Sequence, residues 1–221
     1  MKEGMSFDYL PQTDIYIYQR KDMFRINTDT ALLGGFMKIN EQDRVLDIGT
    51  NNGALLLYAN RFHPSFLYGV EIQKEACELA EENMRYHNIT NFQIFHENIQ
   101  NTHIDAVDVI VCNPPYFKVS QNSHINESKA LRIARHEIYL DLDTLLQSVE
   151  RLLKENGRFY MIHRSDRITD ILCGLRNIQM EAKCIQFVYD EYKDTARSVL
   201  IEAVHHGKSH CSVLPPHIIT R

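Results

Sequence analysis

The sequence predicts an α/β fold in which helices cover both faces of a doubly wound, mostly parallel sheet. From Arg44 onward, short β-rich runs alternate with helical stretches, and this alternation is typical of parallel sheets. Predicted strands lie at Arg44–Ile48, Phe66–Glu71, 92–95, 108–112 and 158–163, and predicted helices lie at 54–62, 73–87, 143–155 and 165–177. Two final β-rich runs, 183–189 and 197–204, flank a short polar connection, which predicts an antiparallel pair at one edge of the sheet.

Local signals refine the ends of these elements. Asn156-Gly157 is a typical helix stop and ends the helix predicted at 143–155. Ser165 is a typical N-cap, so the next helix is predicted to begin there. Two segments fall outside the alternation: residues 1–40, which are rich in Tyr, Phe and Arg, and the long polar stretch 117–135. A loop of that length inside a compact domain is usually functional or mobile.

Length and composition restrict the class of protein. A chain of 221 residues fits one large domain, or one domain with appendages. The five cysteines are scattered without a CxxC pair, which indicates reduced thiols in a cytoplasm and neither a disulfide framework nor a zinc site. No apolar run has the length of a signal peptide or of a membrane span, so we expect a soluble intracellular protein without a bound metal.

The net charge of −5 argues against a uniformly basic surface for nucleic acid but leaves room for local patches. Two clusters are close in sequence: one is Lys129, Arg132, Arg135 and His136, and the other is Arg158, His163, Arg164 and Arg167. A solvated face is the ordinary interpretation of such clusters. Any nucleic-acid contact they make is therefore expected to be local and sensitive to salt.

A glycine-bearing turn follows the first predicted strand of the sheet. The run from Asp47 to Gly53 reads Asp-x-Gly-x-Asn-x-Gly, and it lies between a strand and a helix. Gly49 and Gly53 let the backbone approach a ligand at the carboxyl ends of the strands, and Asn51 tolerates the left-handed backbone that the turn requires. No Lys-Ser/Thr pair follows the last glycine, so the turn is not a P-loop.

Glu71 ends the second predicted strand, about twenty residues beyond the turn, where an acidic side chain commonly binds ribose hydroxyls. The turn and Glu71 together predict a nucleotide-type cofactor, but they leave both NAD and S-adenosylmethionine open. Structural alternatives also remain for the two carboxylates, since Asp47 can cap a helix and Glu71 can hold a turn.

The motif Asn113-Pro114-Pro115-Tyr116 directly follows the apolar run 107–112. The Asn side-chain oxygen and a proline carbonyl can accept two hydrogen bonds from one amino group, and the aromatic ring offers a stacking face. Proline fixes the backbone, so the carbonyl is held in place. A strand that merely ends in a proline turn is the alternative. The motif favours transfer of a methyl group to an amino nitrogen, because hydride transfer has no use for such a clamp.

These motifs resemble class I S-adenosylmethionine-dependent methyltransferases of the amino-methylating NPPY group. Within that group, the chain resembles the adenine-N6 methyltransferases of valine tRNA, which modify the purine just 3′ of the anticodon. Gln19 and the segment from Phe24 to Phe36 carry this narrower resemblance. Further matching strings over residues 7–205 are VLDIGTNNGA, VEIQ, NPPYF, RHE and LLKENGRFYMIHR.

The resemblance implies a Rossmann-like methyltransferase fold with a mostly parallel seven-stranded sheet and an antiparallel edge pair. It divides the chain into residues 1–40, which would close over cofactor and substrate, and a methyltransferase domain at 41–221. The cofactor it implies is S-adenosylmethionine, and the partner is tRNA, bound by a protein that we expect to be a monomer.

The resemblance also assigns roles residue by residue. The expected cofactor contacts are Asp29, Thr30, Asp47, Gly49, Asn51, Gly53, Glu71, Asn98 and Asn113; of these, Glu71 would bind the ribose and Asn98 the adenine. Asn98 departs from the acidic residue that is usual there. Expected catalytic residues are Asn113, Pro114, Pro115 and Tyr116. Expected RNA contacts are Phe117, Lys129, Arg132, Arg135 and His136.

Other functions remain open at the level of the sequence. A protein-glutamine N5 methyltransferase would use the same clamp on a planar amide. A ribosomal-RNA or DNA amino methyltransferase is less favoured, because the chain carries no extra target-recognition domain. A non-enzymatic RNA-binding scaffold that retains the cofactor is the alternative from another class, and the intact Asn113 and prolines argue against it.

Overall fold

A nine-stranded mixed sheet forms the centre of the fold. The structure is a computed structural model and describes residues 4–114 and 140–220. The strands of this sheet are β3 (Arg44–Ile48), β4 (Phe66–Glu71), β5 (Phe92–His96), β6 (Val107–Cys112), β7 (Leu153–Arg164), β8 (Met180–Asp190), β9 (Ser198–His205), β10 (Ser212–Val213) and β11 (His217–Ile219). A separate antiparallel hairpin consists of β1 (Met5–Tyr9) and β2 (Tyr16–Arg20).

The order of the strands creates a switch point at β3. The chain runs outward from β3 to β4 and then β5, and it returns to β6 on the other side of β3. The strands from β3 to β7 are parallel, so their carboxyl ends lie along one edge of the sheet. In open parallel sheets, ligands bind at such a switch point, beyond the carboxyl ends of the strands.

Helices cover both faces of the sheet and bury two apolar cores, as expected for a doubly wound fold. One core contains apolar residues of α4 (Leu142–Leu152) and α5 (Ile168–Asn177). The other contains residues of α1 (Thr28–Phe36), α2 (Ala54–Asn60) and α3 (Lys74–Tyr86). No helix within the described ranges is long and apolar enough to span a membrane.

The antiparallel edge pair is confirmed, and the sheet also extends further than predicted. Strand β9 lies between β7 and β8 and runs antiparallel to both. The short strands β10 and β11 then pair in parallel with β8, which brings the sheet from seven predicted strands to nine. Their residues are mostly exposed. Such short strands depend on the hydrogen-bonding edge of β8, and they show no apolar periodicity that would predict them.

Two predicted helix ends are wrong. Helix α4 ends at Leu152 and β7 starts at Leu153, so Asn156 (φ 60°) and Gly157 interrupt a strand and do not end a helix. Ser165 lies in a short 3₁₀ turn, and its hydroxyl donates to the Ala196 carbonyl; α5 begins three residues later without a side-chain cap. In both cases, contacts with other parts of the sheet outweigh the local signal.

The described part of the N-terminal segment packs directly on the domain. Asn83 of α3 is fully buried and joins the two regions. Its oxygen accepts from the Tyr18 amide at 2.8 Å, and its nitrogen donates to the carbonyls of Tyr18 and Asn52. Leu10, Ile17 and Leu33 belong to the same apolar core as α2. The division of the chain at residue 40 remains a prediction.

Candidate active site

The glycine turn after β3 adopts the left-handed conformations that its sequence predicts. Gly49 (φ 75°), Asn51 (φ 49°) and Gly53 (φ 80°) all have positive φ angles, so Asn51 does tolerate the turn. The amides of Gly49 and Thr50 donate to the Val70 carbonyl at 2.9 and 3.1 Å, which ties the turn to the end of β4. Apart from its two chain neighbours, no described residue has an atom within 4 Å of where a Gly49 side chain would begin, so the position is open towards the described part of the protein.

Buried polar atoms without a hydrogen-bond partner collect beneath this turn. Among the described residues, no donor or acceptor reaches the following atoms: both carboxylate oxygens of Asp47, Thr50 Oγ1, Asn51 Oδ1 and Asn52 Nδ2. Buried polar groups are nearly always paired in folded proteins, because an unpaired group has lost its water without replacement. A cluster of them beside open space is typical of a site for a polar ligand.

The environment of Asp47 changes its acidity. The carboxylate is 1% exposed. The pKa of Asp47 is raised to about 7: burial is the main cause, the neighbouring Thr50 hydroxyl acts in the opposite direction, and the negative charge of Glu71 adds to the rise. A positively charged ligand group at this position would favour the ionised carboxylate.

Glu71 connects three parts of the same edge. Its Oε2 accepts from the Asn51 amide at 3.1 Å, and its Oε1 accepts from the amides of Ile72 and Gln73 at 2.9 and 3.0 Å. The Glu71 carboxylate therefore joins the glycine turn to the residues that precede α3. This is the structural alternative to a cofactor contact that the sequence left open. Its contact with a ribose remains a prediction.

Asn98 follows β5 at the same edge and caps a short 3₁₀ turn. Its side-chain oxygen accepts from the Gln100 amide at 2.9 Å. This bond gives the departure from an acidic residue a local explanation, because Asn is a good cap. A contact between Asn98 and adenine remains a prediction.

Asn113 and Pro114 lie immediately beyond β6, and a residue of the N-terminal segment contacts Asn113. Asn113 Nδ2 donates to Thr30 Oγ1 at 3.1 Å, a contact that joins residues 83 positions apart in the sequence. Pro114 is buried. The remaining predicted residues of this region lie outside the described residues: Pro115, Tyr116, Phe117, Lys129, Arg132, Arg135 and His136.

Two interactions fix the first turn of α1: an ion pair with Arg197 and hydrogen bonds to the N-cap residue Asn27. Asp29 is buried, and Arg197, which precedes β9, reaches it with an N–O distance of 3.4 Å. Thr30 is 6% exposed and bonds to Asn27, the N-cap of α1. Asp29 and Thr30 thus lie near Asn113 at the predicted edge, and their contact with the cofactor remains a prediction.

Sequence reasoning gave no role in the site to four residues that help to build this edge, although Gln19 and the segment from Phe24 carry the narrower resemblance. The carbonyl of Phe24 accepts from Asn51 Nδ2 at 3.1 Å. Gln19 is buried, and its Oε1 accepts from the Ile26 amide at 2.7 Å. Asn27 and Arg197 fix α1. The N-cap preference of Asn would have identified Asn27. Phe24 and Arg197 make contacts between distant segments, and Gln19 binds a loop amide that no local signal marks.

The second basic cluster is divided by the fold. Arg158 lies within β7 and pairs with Asp43. Arg164 is the last residue of β7 and pairs with Asp166, and Arg167 follows the strand and pairs with Asp170. Burial lowers the pKa of His163 to about 4. These arginines have acidic partners and form no continuous basic patch.

Comparison with known proteins identifies the family. A family model described as a methyltransferase domain matches residues 39–203. The chain belongs to this methyltransferase family. Its sheet order and the position of the glycine turn agree with that assignment.

Curated relatives of the methyltransferase match most of its length. A protein of Dyadobacter fermentans is 34% identical over 155 residues, which is 68% of this chain and 62% of that protein. A protein of Aeromonas salmonicida is 31% identical over 180 residues, covering 80% of this chain and 75% of that protein. Both carry the name tRNA1(Val) (adenine(37)-N6)-methyltransferase, and the methyltransferase belongs to the same family as these relatives.

Solved structures show the same fold. A predicted O-methyltransferase of Agrobacterium tumefaciens has a TM-score of 0.66 at 13% identity and covers 86% of this chain and 87% of its own. A geranyl diphosphate C-methyltransferase of Streptomyces coelicolor, in complex with S-adenosyl-L-homocysteine, has a TM-score of 0.56 at 15% identity, with 80% and 78% coverage.

S-adenosylmethionine is the cofactor of this methyltransferase, and the site fits it. The cofactor ends in an amino acid, whose ammonium and carboxylate need polar partners. Asp47, Thr50 and Asn52 supply unpaired polar atoms beneath the turn, and Gly49 leaves room beside them. Among the described residues, no group of three or more His, Cys, Asp or Glu side chains is arranged to hold a metal ion.

Proposed function

We propose that this methyltransferase transfers a methyl group to the exocyclic N6 of adenine 37 in the anticodon loop of a valine tRNA. The observation that carries the proposal is the position of Asn113-Pro114 beyond β6, beside the cofactor turn of β3. The names of the relatives from Dyadobacter and Aeromonas support adenine in tRNA as the substrate.

The Asn113 amide and the Pro114 carbonyl would act on the amino group of the base. The lone pair of an adenine amino nitrogen is delocalised into the ring, so this nitrogen is a poor nucleophile. Two hydrogen bonds, accepted by Asn113 Oδ1 and the Pro114 carbonyl, would favour a more pyramidal and more nucleophilic nitrogen. The bound cofactor would supply a methyl group on a sulfonium, which needs neither a metal nor a covalent intermediate. The amino nitrogen would form the new bond to the methyl carbon as the carbon–sulfur bond breaks to leave a neutral thioether, and the nitrogen would then release one proton to solvent.

Positioning would supply much of the rate. Holding two reactants in line is worth on the order of 7–11 kcal/mol in well-aligned systems. The resemblance assigns stacking on the base to Tyr116 or Phe117. The target base must leave its stack to reach this edge, which costs least in a single-stranded loop. We propose that residues 1–40 close over both ligands, a role supported by the Phe24–Asn51 and Thr30–Asn113 contacts.

Methyl transfer to unmodified tRNA tests the proposal directly. Purified protein, unmodified valine tRNA and methyl-labelled cofactor are expected to yield labelled N6-methyladenosine after digestion to nucleosides. Label that enters a release factor and not tRNA would favour the protein-glutamine alternative. A tRNA with guanine at position 37 is the matched control and should remain unlabelled.

We expect Asn113→Ala to abolish transfer while cofactor binding is retained. The variant removes an acceptor for the amino group but leaves the turn and Asp47 unchanged. Turnover is measured with the tRNA assay, and cofactor affinity is measured by calorimetry with S-adenosylhomocysteine. Asn91→Ala, at the opposite end of the strands, is the control. Near-wild-type turnover of Asn113→Ala would falsify the catalytic role.

The predicted compartment and oligomeric state belong to the same proposal. We propose a monomer that acts in the cytoplasm, where its tRNA substrate is made in bacteria. Light scattering on the purified protein, with and without tRNA, tests the monomer.

A further inference from the structure

The polarity of the Asn113 amide decides whether it can act as an amine clamp. An Asn side chain ends in an oxygen that accepts hydrogen bonds and a nitrogen that donates them, and the two groups are nearly equal in size. A substrate amino group needs the oxygen. If the amide turned by 180°, its nitrogen would face the substrate nitrogen, and two donors would oppose each other.

A chain of hydrogen bonds sets this polarity, and it begins at a group that cannot be reversed. The backbone amide of Thr30 donates to the side chain of Asn27 at 2.9 Å, so the Asn27 atom that faces it must be the oxygen, Oδ1. The same oxygen accepts from the Thr30 hydroxyl at 3.1 Å. The single hydrogen of that hydroxyl is thereby committed to Asn27.

The Thr30 oxygen can then act only as an acceptor towards its other neighbour. That neighbour is the Asn113 side chain, whose nitrogen lies 3.1 Å away. A donor is needed in this direction, so the nitrogen of Asn113 faces Thr30 and its oxygen is directed away. Thr30 is buried, which protects the chain of bonds from competition by bulk water.

We propose that Thr30 is a positioning residue, which orients the Asn113 amide so that its oxygen faces the amino group of the substrate. This inference rests on the proposed function for the identity of that amino group. It differs from the role that the family resemblance gives Thr30, which is contact with the cofactor. The side chain acts through Asn113 and needs no contact with either ligand.

Helix α1 is placed firmly enough for this role. The Asn27 cap and the Arg197–Asp29 pair hold its first turn, and the Met37 amide closes its last turn on the Leu33 carbonyl. Thr30 therefore presents its hydroxyl from a fixed backbone, which is the condition for an effective orienting group.

The matched variants are Thr30→Val and Thr30→Ser. Val has the shape of Thr without the hydroxyl, whereas Ser keeps the hydroxyl and loses only the methyl group. We expect Thr30→Val to lower kcat for unmodified tRNA at least tenfold, with KM for tRNA and Kd for S-adenosylhomocysteine within twofold of wild type. Thr30→Ser should recover kcat to within threefold. Thermal unfolding confirms that both variants are folded.

Two results, one kinetic and one from cofactor binding, would overturn the inference. One is a kcat for Thr30→Val equal to that of wild type. The other is a loss of S-adenosylhomocysteine affinity that accounts for the loss of activity, because Thr30 would then be a cofactor contact alone.

A measurement on the wild-type protein keeps the inference separate from the proposed function. In nitrogen-15-labelled protein with S-adenosylhomocysteine, the side-chain amide protons of Asn113 should show nuclear Overhauser contacts to the Thr30 side chain; the Asn113→Asp variant, which lacks these protons, assigns their signals. Absence of these contacts overturns the orientation, whatever the substrate. If the contacts are present but tRNA is not methylated, the proposed function fails and the orientation stands.

Discussion

Asp47 has lost its contact with water, and the described residues offer neither of its oxygens a hydrogen bond. Ionising it inside the protein is therefore costly, and its pKa rises to about 7. A buried, ionised carboxylate without a positively charged partner lowers the free energy of unfolding of the ligand-free protein. Binding sites of this kind lose stability in exchange for affinity.

We expect Asp47→Asn to stabilise the cofactor-free protein at pH 8 and to change little near pH 4. The folded-state pKa lies above the ordinary Asp value of 3.8, so between these pH values the native state holds a proton that the unfolded state has released. The contribution of Asp47 to the free energy of unfolding is present below pH 4 and is lost as pH rises to 7. At about 1.4 kcal/mol per pKa unit, the loss is roughly 4 kcal/mol.

Urea unfolding of both proteins at pH 4.5, 6 and 8 measures this difference. Other titrating groups are common to the two proteins, so their contributions cancel in the comparison. Asp14→Asn, at an exposed residue, is the control and should change the free energy of unfolding by less than about 0.5 kcal/mol at each pH. A difference between wild type and Asp47→Asn that does not vary with pH would contradict the assignment.

At the scale of elements, α1 approaches α2 closely because one of its residues has no side chain. A Cβ at Gly34 would lie 2.4 Å from Cγ of the Tyr58 ring. Tyr58 cannot easily move aside, since it is buried and its hydroxyl donates to the Pro11 carbonyl at 2.8 Å. The next residue, Gly35, is exposed, and among the described residues a Cβ there would come within 4 Å of Gln12 Oε1 alone, at 3.7 Å.

Gly34→Ala and Gly35→Ala are therefore expected to act in opposite directions. Overpacking against Tyr58 should lower the free energy of unfolding by about 1–3 kcal/mol in Gly34→Ala. Gly35→Ala should raise it by up to about 1 kcal/mol, because Ala favours a helix and restricts the unfolded chain. Urea unfolding at one pH compares the two, and a stabilising Gly34→Ala would show that α1 packs differently.

The strands of the central sheet were predictable because short apolar runs in the sequence indicate that these strands are buried. Arg44–Ile48 and Phe66–Glu71 have the predicted bounds, since each is a short apolar run between turn signals. The α4–β7 boundary was not predictable, because Leu152 and Leu153 belong to different elements without a loop between them. Strands β10 and β11 exist only because β8 offers an edge, which is a tertiary property.

The candidate site shows the same division between local and tertiary information. Chain order alone places Asp47, Glu71 and Asn113 at one edge, because the carboxyl ends of parallel strands coincide. The role of Arg197 could not be predicted, since it depends on a segment that lies far away in the sequence. The role of Gln19 could not be predicted either, since its partner is a loop amide seven residues along the chain, and no local pattern marks that bond. Within the resemblance, Gln19 is a signature residue, and the structure gives it the physical task of holding the chain that leads to α1.

For the molecule as a whole, a net charge of −5 means that tRNA must be held by a local patch. Arg164 and Arg167, at the carboxyl end of β7, are paired with acidic residues, so the cluster from Lys129 to His136 is the stronger candidate for this patch. Its residues lie outside the described part of the chain, and their contact with RNA remains a prediction.

We expect Arg132→Ala combined with Arg135→Ala to weaken tRNA binding more than cofactor binding. If each arginine contacts one phosphate, the slope of log K against log salt should fall in magnitude by about 1.5. Filter binding at several salt concentrations measures this slope. Arg85→Ala combined with Arg176→Ala removes two exposed arginines from α3 and α5 and should leave it unchanged. Equal slopes of log K against log salt for both double variants would contradict a local RNA contact at Arg132 and Arg135.

The hydrogen bonds of Asn27, the N-cap of α1, limit which residues evolution can accept at position 27. Ser, Thr, Asp and Asn all cap helices well, but they are not equivalent at position 27. Asp, like Asn, presents only an acceptor to the Thr30 hydroxyl, whereas a Ser or Thr hydroxyl could donate to it and reverse every bond up to Asn113. Homologous sequences that keep a hydroxyl at position 30 and Asn at position 113 should therefore carry Asn or Asp at position 27. The residues at these three positions are expected to covary.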